Sequence, residues 1–291
     1  MKVFITGGNG FLGLALIKHL KEVNCEVLSS ASSSEKALEL SQFCDKSFVI
    51  NLDKELPQKC FDGVDVVIHL AHSTQKKSFD LNVNGTIKIF ESAELSGVKR
   101  QILCTSYSAY PEAVSEYGKT KYALEGYFRK KNHEIIRPGL IVGPGGLSKK
   151  IVDTCLRWPI IPLPGGGKNE IPVVSLDDIC ECIKIIIFKP IQECKNFHYH
   201  YEKNVMLCDF VKEIFAVAVK WGVIFPIPVN LMLFMIHISR LVGIKLPIDE
   251  SNLKGYNSNR QIRFESHLKE YLENPKDLSE MVKRYFPFSK V

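Results

Sequence analysis

Residues 2–13, KVFITGGNGFLG, decide the fold class of this chain. A short apolar strand, residues 2–6, leads into glycines at positions 7, 10 and 13, and a helical pattern begins at Phe11. Glycine permits a tight turn and a close approach of the backbone to a pyrophosphate, while the first N–H groups of the helix face the anion. A glycine-rich turn without function is the alternative. The position between a first strand and an amphipathic helix favours a phosphate-binding turn.

The same alternation of strand and helix continues through the first half of the chain. The sequence predicts strands at 2–6, 26–29, 47–50, 64–70, 100–105 and 134–137, and helices at 11–21, 34–42, 84–96 and 117–130. Strands that alternate with helices predict an α/β fold. We therefore expect a Rossmann-type doubly wound parallel sheet with a smaller C-terminal substrate-binding region.

The regular alternation of strand and helix patterns ends after residues 137–139. Loops rich in glycine and proline follow at 143–146 and 164–167. We predict a Rossmann NAD(P)-binding domain over residues 1–165 and a mainly C-terminal substrate-binding region over 166–291, with 171–189 packing back on the Rossmann core. In the second region the pattern predicts a strand at 171–175, helices at 177–188 and 207–221, and a proline-punctuated segment at 225–229.

Composition narrows the functional classes. The 291 residues are 45% hydrophobic and 24% charged, which is typical of a globular protein with a sizeable core. The net charge of +6 is not concentrated in a basic tract, so nucleic acid is not an expected partner. The nine cysteines include no C-x-x-C pair, and we predict reduced thiols without a metal site. No export signal and no apolar stretch of roughly 20 residues is visible, so we predict a cytoplasmic protein without a membrane span.

Three residues carry the candidate chemistry. Ser106 follows the fifth strand, and Tyr117 and Lys121 share one face of the next helix because they are four residues apart. A cation beside a phenol lowers its pKa from about 10, as acid–base work requires. Ser106 is expected to hydrogen-bond the substrate oxygen. A tyrosine and a lysine at this spacing are common on solvated helices, and only the combination with Ser106 and the glycine turn is specific.

The ends of the other strands supply candidate cofactor contacts. The run of serines at 29–34 offers hydroxyl groups to either a ribose or a 2′-phosphate, and Lys36 is the nearest cation. In dinucleotide-binding folds an acidic residue near this position indicates NAD, and a basic residue indicates NADP. Neither type is clearly placed here, so the choice between NAD and NADP stays open. Besides the turn residues Gly7, Gly10, Phe11, Leu12 and Gly13, the predicted contacts at strand ends are Ser32, Asn51, Leu52, Leu70, Ala71 and His72.

The sequence resembles the extended branch of the short-chain dehydrogenase/reductase superfamily, the NAD-dependent epimerase/dehydratase family. The motifs that carry the resemblance are 6–13, 64–71, 82–86, Ser106 with Tyr117 and Lys121, 137–139, 142–145 and 175–179. The resemblance implies that Tyr117 abstracts or returns the hydroxyl proton, that Lys121 binds the nicotinamide ribose and tunes Tyr117, and that Ser106 polarises the substrate oxygen. It further implies that Asn82 supports the active-site backbone, that Pro138 lies at the cofactor, and that helices 84–96 and 117–130 form a homodimer.

Several functions remain open. The leading hypothesis is an NAD(P)-dependent sugar epimerase or keto-reductase acting on a nucleotide- or lipid-carrier-linked sugar. The connection from Ser106 to Tyr117 is shorter than in many sugar-nucleotide members, and residues 167–172 lack an arginine for nucleotide phosphates. The missing arginine and the apolar C-terminal region suit the alternative of a reductase or dehydrogenase of a non-sugar carbonyl, steroid-like or a small ketone. A non-catalytic dinucleotide-binding sensor or assembly subunit is the third alternative, although such a protein has no physical need for all three candidate catalytic residues.

The segment 226–238 is more apolar than a solvent-exposed helix should be. Burial against the core or a dimer mate is one interpretation. The other is an interfacial surface that rests on a bilayer, flanked by Lys220, Arg240 and Lys245, while the enzyme handles a lipid-linked sugar.

Overall fold

The computed structural model describes residues 1–75, 77–191, 195–203, 205–241, 250–258 and 265–286. The strands in these ranges are β1 (Lys2–Thr6), β2 (Glu26–Ala31), β3 (Lys46–Val49), β4 (Val66–His69), β5 (Arg100–Cys104), β6 (Glu134–Pro138), β7 (Leu140–Val142), β8 (Ile160–Pro164), β9 (Glu170–Ile171), β10 (Val173–Ser175), β11 (Asn196–Tyr199), β12 (Val205–Met206) and β13 (Val223–Ile227). The helices are α1 (Phe11–Lys21), α2 (Ser34–Leu40), α3 (Phe79–Leu95), α4 (Glu116–Lys130), α5 (Gly146–Arg157), α6 (Leu176–Phe188), α7 (Leu207–Val217), α8 (Val229–Leu241), α9 (Glu250–Ser258), α10 (Leu268–Tyr271) and α11 (Leu278–Tyr285).

Seven strands form the central sheet in the order β11-β6-β5-β4-β1-β2-β3. The ladders from β6 through to β3 are all parallel. The chain runs outward from β1 through β2 to β3 and then returns to β4 on the other side of β1. Ligands of doubly wound sheets bind beyond the carboxyl ends of the strands at this reversal. The predicted Rossmann-type sheet is confirmed.

Burial explains why the first strand can begin the sheet. Val3, Phe4 and Ile5 are consecutive and fully buried. Because successive side chains of a strand point to opposite faces, both faces of the sheet must be covered here. Burying one such side chain contributes about 1.5–3 kcal/mol to the free energy of unfolding, so these residues of β1 help to stabilise the core of their unit.

Some predicted bounds differ from the structure. Helix α3 begins at Phe79 rather than at 84, and β10 starts only after Pro172, which has no N–H to offer a ladder and separates it from β9. The predicted helix 207–221 ends at Val217, and the proline-punctuated segment contributes to strand β13, which pairs in parallel with β8. This pairing joins stretches about 60 residues apart, a relation that local patterning does not encode.

The chain divides into two compact units. The first comprises 1–111, 116–137 and 177–197, and the second comprises 112–115, 138–176 and 198–291. The chain therefore leaves the first unit after Arg137, earlier than the predicted boundary at 165. The reason is that Arg137 forms a buried ion pair inside the first unit, whereas β7 pairs with β10 in the second. Of the segment 171–189 that was expected to pack on the Rossmann core, residues from 177 onward belong to the first unit.

The second unit has its own apolar core, formed mainly by residues of α5, α7, α11 and β8. A separate cluster around Met232 and Ile236 covers one side of α8. Within the described ranges, no helix combines the length and the apolar character needed to cross a membrane.

Candidate active site

The turn between β1 and α1 has the geometry of an anion cradle. Gly7 has a φ of 69°, in the left-handed region that favours glycine, and the Gly10 N–H donates to the Gly7 carbonyl at 3.0 Å. Helix α1 begins after Gly10 without a side-chain cap and without an acidic residue in its first turn. The free N–H groups of that turn, which includes Phe11 and Leu12, are therefore available to a negatively charged group.

Close packing makes the glycines of this turn necessary. A Cβ on Gly13 would lie 2.7 Å from the Gly7 carbonyl oxygen and 2.7 Å from Gly8 Cα, and a Cβ on Gly8 would collide with Ser29 Oγ at 1.8 Å. The backbone of the turn thus lies directly on the first turn of α1 and on the end of β2. This cradle fits the pyrophosphate of a dinucleotide.

Thr6 closes the gap between the ends of β1 and β4. Its Oγ1 accepts hydrogen bonds from the N–H groups of Leu70 and Ala71, each at 3.1 Å. Both backbone donors are therefore engaged within the protein. A Cβ on Gly7 would lie 2.9 Å from Ala71 Cα, which shows how closely the two loops approach each other.

The end of β2 contains hydroxyl groups but no charged side chain. Ser30 Oγ accepts from the Gly7 N–H at 3.3 Å, Ser32 is exposed beyond the strand, and Ser33 caps α2 by accepting from the Lys36 N–H at 3.4 Å. Leu52, after β3, lies very close to α3: a Cβ added to Gly85 of that helix would be 2.5 Å from the Cβ of Leu52. Asn51 next to it is half-buried.

Tyr117, Lys121 and Ser106 come together at the carboxyl end of β5. Tyr117 hydrogen-bonds with the Ser106 side chain, and its residue surface is 37% exposed, so a substrate can reach it. Lys121 Nζ lies 5.8 Å from the centre of the Tyr117 ring and donates to the Cys104 carbonyl at 2.9 Å. The spacing of four residues on α4 places the phenol of Tyr117 and the ammonium of Lys121 on one face of the helix, as the sequence predicted.

The expected direction of the Tyr117 pKa was wrong for this arrangement. Although the residue as a whole is 37% exposed, burial around its phenol group is the largest effect and raises the pKa of Tyr117, and the nearby Cys104 adds to the rise. The hydrogen bond from Ser106 acts in the opposite direction. Lys121 does not offset the burial because its ammonium is bonded to the Cys104 carbonyl rather than to the phenol oxygen. Burial also lowers the pKa of Lys121 itself.

His72 packs against the edge of the catalytic pair. Its ring lies 5.0 Å from the Tyr117 ring at an interplanar angle of 90°. Burial, together with the positive charge of Lys121, lowers the pKa of His72 to about 3. His72 is therefore neutral at physiological pH and offers an aromatic wall and a neutral ring nitrogen.

Asn82 fixes the loop that leads from β4 to α3. Its Oδ1 accepts from the Ser73 N–H at 2.7 Å, and its Nδ2 donates to the Ser73 carbonyl at 2.9 Å. Glu116, at the start of α4, accepts from the Ser78 N–H at 2.7 Å in the same loop. Asn82 and Glu116 thus hold the loop that carries His72 beside the helix that carries Tyr117.

Sequence reasoning missed the charged network behind Lys121. Glu125 is fully buried; it accepts from Thr105 Oγ1 at 2.7 Å and from Arg137 Nε at 2.6 Å, and it pairs with Arg129 at 2.9 Å. The available signal was its spacing, since it lies one turn beyond Lys121 on the inward face of α4. Pro138, a predicted cofactor contact, ends β6 and is the first residue of the second unit in that stretch.

Comparisons with known proteins identify the family of the chain. The model of the NAD dependent epimerase/dehydratase family matches residues 3–199. The GDP-6-deoxy-D-talose 4-dehydrogenase of Aggregatibacter actinomycetemcomitans is 25% identical over 72% of this chain and 80% of its own length. The GDP-mannose 3,5-epimerase of Arabidopsis thaliana is 29% identical over 38% of this chain and 32% of its own length.

Solved structures share the fold over nearly the whole chain. The UDP-glucose 4-epimerase of Thermotoga maritima, solved with UDP-glucose, superimposes with a TM-score of 0.76 at 19% identity and covers 99% of this chain and 98% of its own. The terminal R domain of the myxalamid PKS-NRPS pathway reaches a TM-score of 0.77 at 15% identity, covering 99% and 90%. The family match, which spans more than half of the chain, and the glycine cradle lead to one conclusion. The chain belongs to the NAD-dependent epimerase/dehydratase family and is an NAD-dependent enzyme.

Proposed function

We propose that the protein is a nucleotide-sugar epimerase or keto-reductase that works at a secondary alcohol or ketone of the sugar. The observation that carries the proposal is the hydrogen bond between Tyr117 and Ser106, with the Lys121 ammonium 5.8 Å from the same ring. A phenol, a hydroxyl and a buried cation in this arrangement serve proton transfer at an oxygen of a substrate.

The residues of the chain divide the work between binding and proton transfer. The cradle of Gly7, Gly10 and Gly13, with the first turn of α1, binds the pyrophosphate of NAD. Bound NAD supplies a nicotinamide that accepts or donates hydride. Ser106 hydrogen-bonds the substrate oxygen, and Tyr117 takes the proton from an alcohol or returns it to a ketone. Because its pKa is raised, Tyr117 holds its proton in the present arrangement, which is the form that can return a proton to a ketone oxygen.

The nucleotide on the substrate is proposed from the relatives. The names of the two sequence relatives and of the Thermotoga maritima structure describe enzymes of GDP- or UDP-linked sugars. We extend this substrate class to the present chain as part of the proposal.

The test begins with the cofactor content of the purified protein. The protein is then incubated with UDP-, GDP- and dTDP-linked hexoses, first without added cofactor and then with NADH or NADPH. An epimerase interconverts sugars without added cofactor, whereas a reductase consumes reduced nicotinamide in amounts equal to product. Turnover of none of these sugars, by protein that binds NAD, would contradict the proposal.

A second candidate function is reduction of a non-sugar carbonyl. The absence of arginine from residues 167–172 favours it. A thermal-shift screen with steroids and small ketones, compared with the nucleotide sugars, separates the two: the ligand class that raises the melting temperature only in the presence of NAD marks the substrate.

We also propose that the protein is a cytoplasmic homodimer formed through α3 and α4. The two helices are joined by a hydrogen bond from Tyr127 Oη to Glu91 at 3.0 Å and carry exposed apolar side chains, with Leu95 90% and Tyr122 37% exposed. Light scattering of the wild type and of Leu95→Glu tests the dimer. A monomeric wild type would contradict it.

A further inference from the structure

An exposed apolar face lies on the second unit, on the two-stranded sheet of β8 and β13. The parallel register pairs Val223 with Ile160 and Phe225 with Pro162. Since alternate residues of a strand share a face, these four side chains lie on one side of the sheet, and all four are exposed. The other side, with Ile161 and Leu163, is buried in the core of the unit.

The only two tryptophans of the chain extend this face. Trp158 lies two residues before Ile160 and is 54% exposed, and Trp221 lies two residues before Val223 and is 73% exposed. We call the six side chains the tryptophan face: Trp158, Ile160, Pro162, Trp221, Val223 and Phe225. Indole rings with one apolar and one polar edge are enriched where protein meets both lipid and water.

Cations border the tryptophan face. Arg157 lies over the Trp158 ring at 5.4 Å, and Lys220, next to Trp221, donates to the Cys155 carbonyl at 3.3 Å and also to the Leu156 carbonyl. The described stretches that contribute to this surface, 154–169 and 214–239, contain no aspartate or glutamate. Their cationic residues are Arg157, Lys168 and Lys220.

Helix α8, which begins two residues after β13 ends, has apolar side chains on two faces. One face, with Met232 and Ile236, packs into a buried cluster with Ile227 and Leu253. A second stripe at helical spacing is exposed: Leu231 49%, Phe234 60%, Met235 44% and Ile238 39%. Segment 226–238 is therefore buried along one face of α8 and exposed along the other.

We propose that the tryptophan face and the outward stripe of α8 bind the interfacial region of an anionic lipid bilayer. Apolar side chains enter the headgroup boundary, and the bordering cations attract the anionic lipids. The absence of carboxylates along both stretches favours this occupant over a second copy of the chain, because two copies meeting through this face would bring like charges together.

The test uses the whole protein and vesicles of phosphatidylcholine, with or without phosphatidylglycerol. Because the two tryptophans both lie on the proposed surface, tryptophan emission reports binding without any label. The wild type should float with the phosphatidylglycerol vesicles at low salt, and its emission should move to shorter wavelength. High salt should weaken binding, since surface charges are then screened.

The double variant Trp221→Ser, Phe225→Ser removes two exposed side chains, so the fold should be unaffected. We expect it to bind the vesicles about tenfold or more weakly, because the apolar area that enters the bilayer is lost. Leu38→Ser is the matched control, since Leu38 is 72% exposed on α2 of the first unit. It should bind as the wild type does.

Three outcomes would overturn the proposal. The first is no flotation of the wild type at low salt. The second is equal binding of the double variant and the wild type. The third is a wild type that is a dimer by light scattering and does not bind vesicles, together with a double variant that is a monomer. That result would mean that a second copy of the chain covers this face. None of these outcomes depends on which substrate the enzyme turns over.

Discussion

Two buried charges on one face of α4 determine the surroundings of the candidate catalytic tyrosine. Lys121 is 4% exposed and Glu125 is fully buried one helical turn later. The negative charge of Glu125 favours the ammonium form of Lys121, against the burial that lowers the pKa of Lys121. Glu125 in turn is held by Arg137 and Thr105. The network therefore ties the ends of β5 and β6 to the helix that carries Tyr117.

Replacing Glu125 by glutamine should destabilise the protein strongly. Breaking one side of a buried ion pair costs about 3–5 kcal/mol, because the Arg137 charge is left uncompensated. The control is Glu94→Gln, which breaks the half-exposed pair with Lys131 and should cost less than about 1 kcal/mol. Urea unfolding measures both. Equal costs for the two variants would show that Glu125 has no special structural role.

The free energy of unfolding should decrease in acid because His69 is buried and resists protonation in the folded protein. This residue is 2% exposed, and burial lowers its pKa from 6.5 to about 4. Between these values the unfolded chain binds more protons than the folded one, so the free energy of unfolding decreases as the pH falls from about 6.5 to 4. The full effect of His69 is about 3 kcal/mol.

The variant His69→Gln isolates this effect, since glutamine does not titrate in that range. Urea unfolding at several pH values should give a shallower dependence for His69→Gln than for the wild type, whatever its absolute stability. Leu38→Ser, which changes a 72% exposed side chain that does not titrate, serves as the control and should leave the dependence unchanged. An identical slope for all three proteins would contradict the assignment.

At the scale of elements, the β1–α1 turn has no room for an added side chain. Gly13→Ala places a methyl group 2.7 Å from the Gly7 carbonyl oxygen, so the turn must open and NAD binding should weaken strongly. The control is Gly126→Ala in α4, where nothing lies within 4 Å of the added Cβ. This control should gain about 0.5–1 kcal/mol of stability from helix propensity. Calorimetric titration with NAD gives the comparison, and unchanged affinity in Gly13→Ala would refute the cradle.

Local patterns predicted those elements whose signals are local. The predicted bounds of β1 and α1, 2–6 and 11–21, agree with the structure because an apolar strand, a glycine turn and a helical period stand next to each other. The start of α3 was missed because Phe79 follows a residue whose N–H is held by the distant Glu116. Strand β13 was missed because only its partner β8 makes it a strand.

The candidate site shows the same division. The helical spacing of Tyr117 and Lys121 was enough to predict that they share a face. The position of Ser106 just after a strand was enough to predict that it lies near them. The Cys104 carbonyl as the acceptor for Lys121, and burial as the main influence on the Tyr117 pKa, depend on packing that no sequence pattern specifies.

At the scale of the whole molecule, the part of the chain that shows family membership ends before most of the second unit. The family model ends at residue 199, and most of the second unit, from 200 onward, lies beyond it. The matched part contains the cradle and the three candidate catalytic residues. Substrate assays that include the second unit therefore test the proposed substrate.

The most direct measurement follows the nicotinamide absorbance and the sugar product when a nucleotide sugar is added to the NAD-loaded wild type, Tyr117→Phe and Tyr122→Phe. Tyr122 is the matched control because it lies on the same helix and is equally exposed, at 37%. We expect Tyr117→Phe to bind NAD like the wild type and to turn over about 10²–10⁴-fold more slowly, and Tyr122→Phe to remain close to the wild type. Wild-type turnover in Tyr117→Phe would contradict the central claim that this hydroxyl moves the proton.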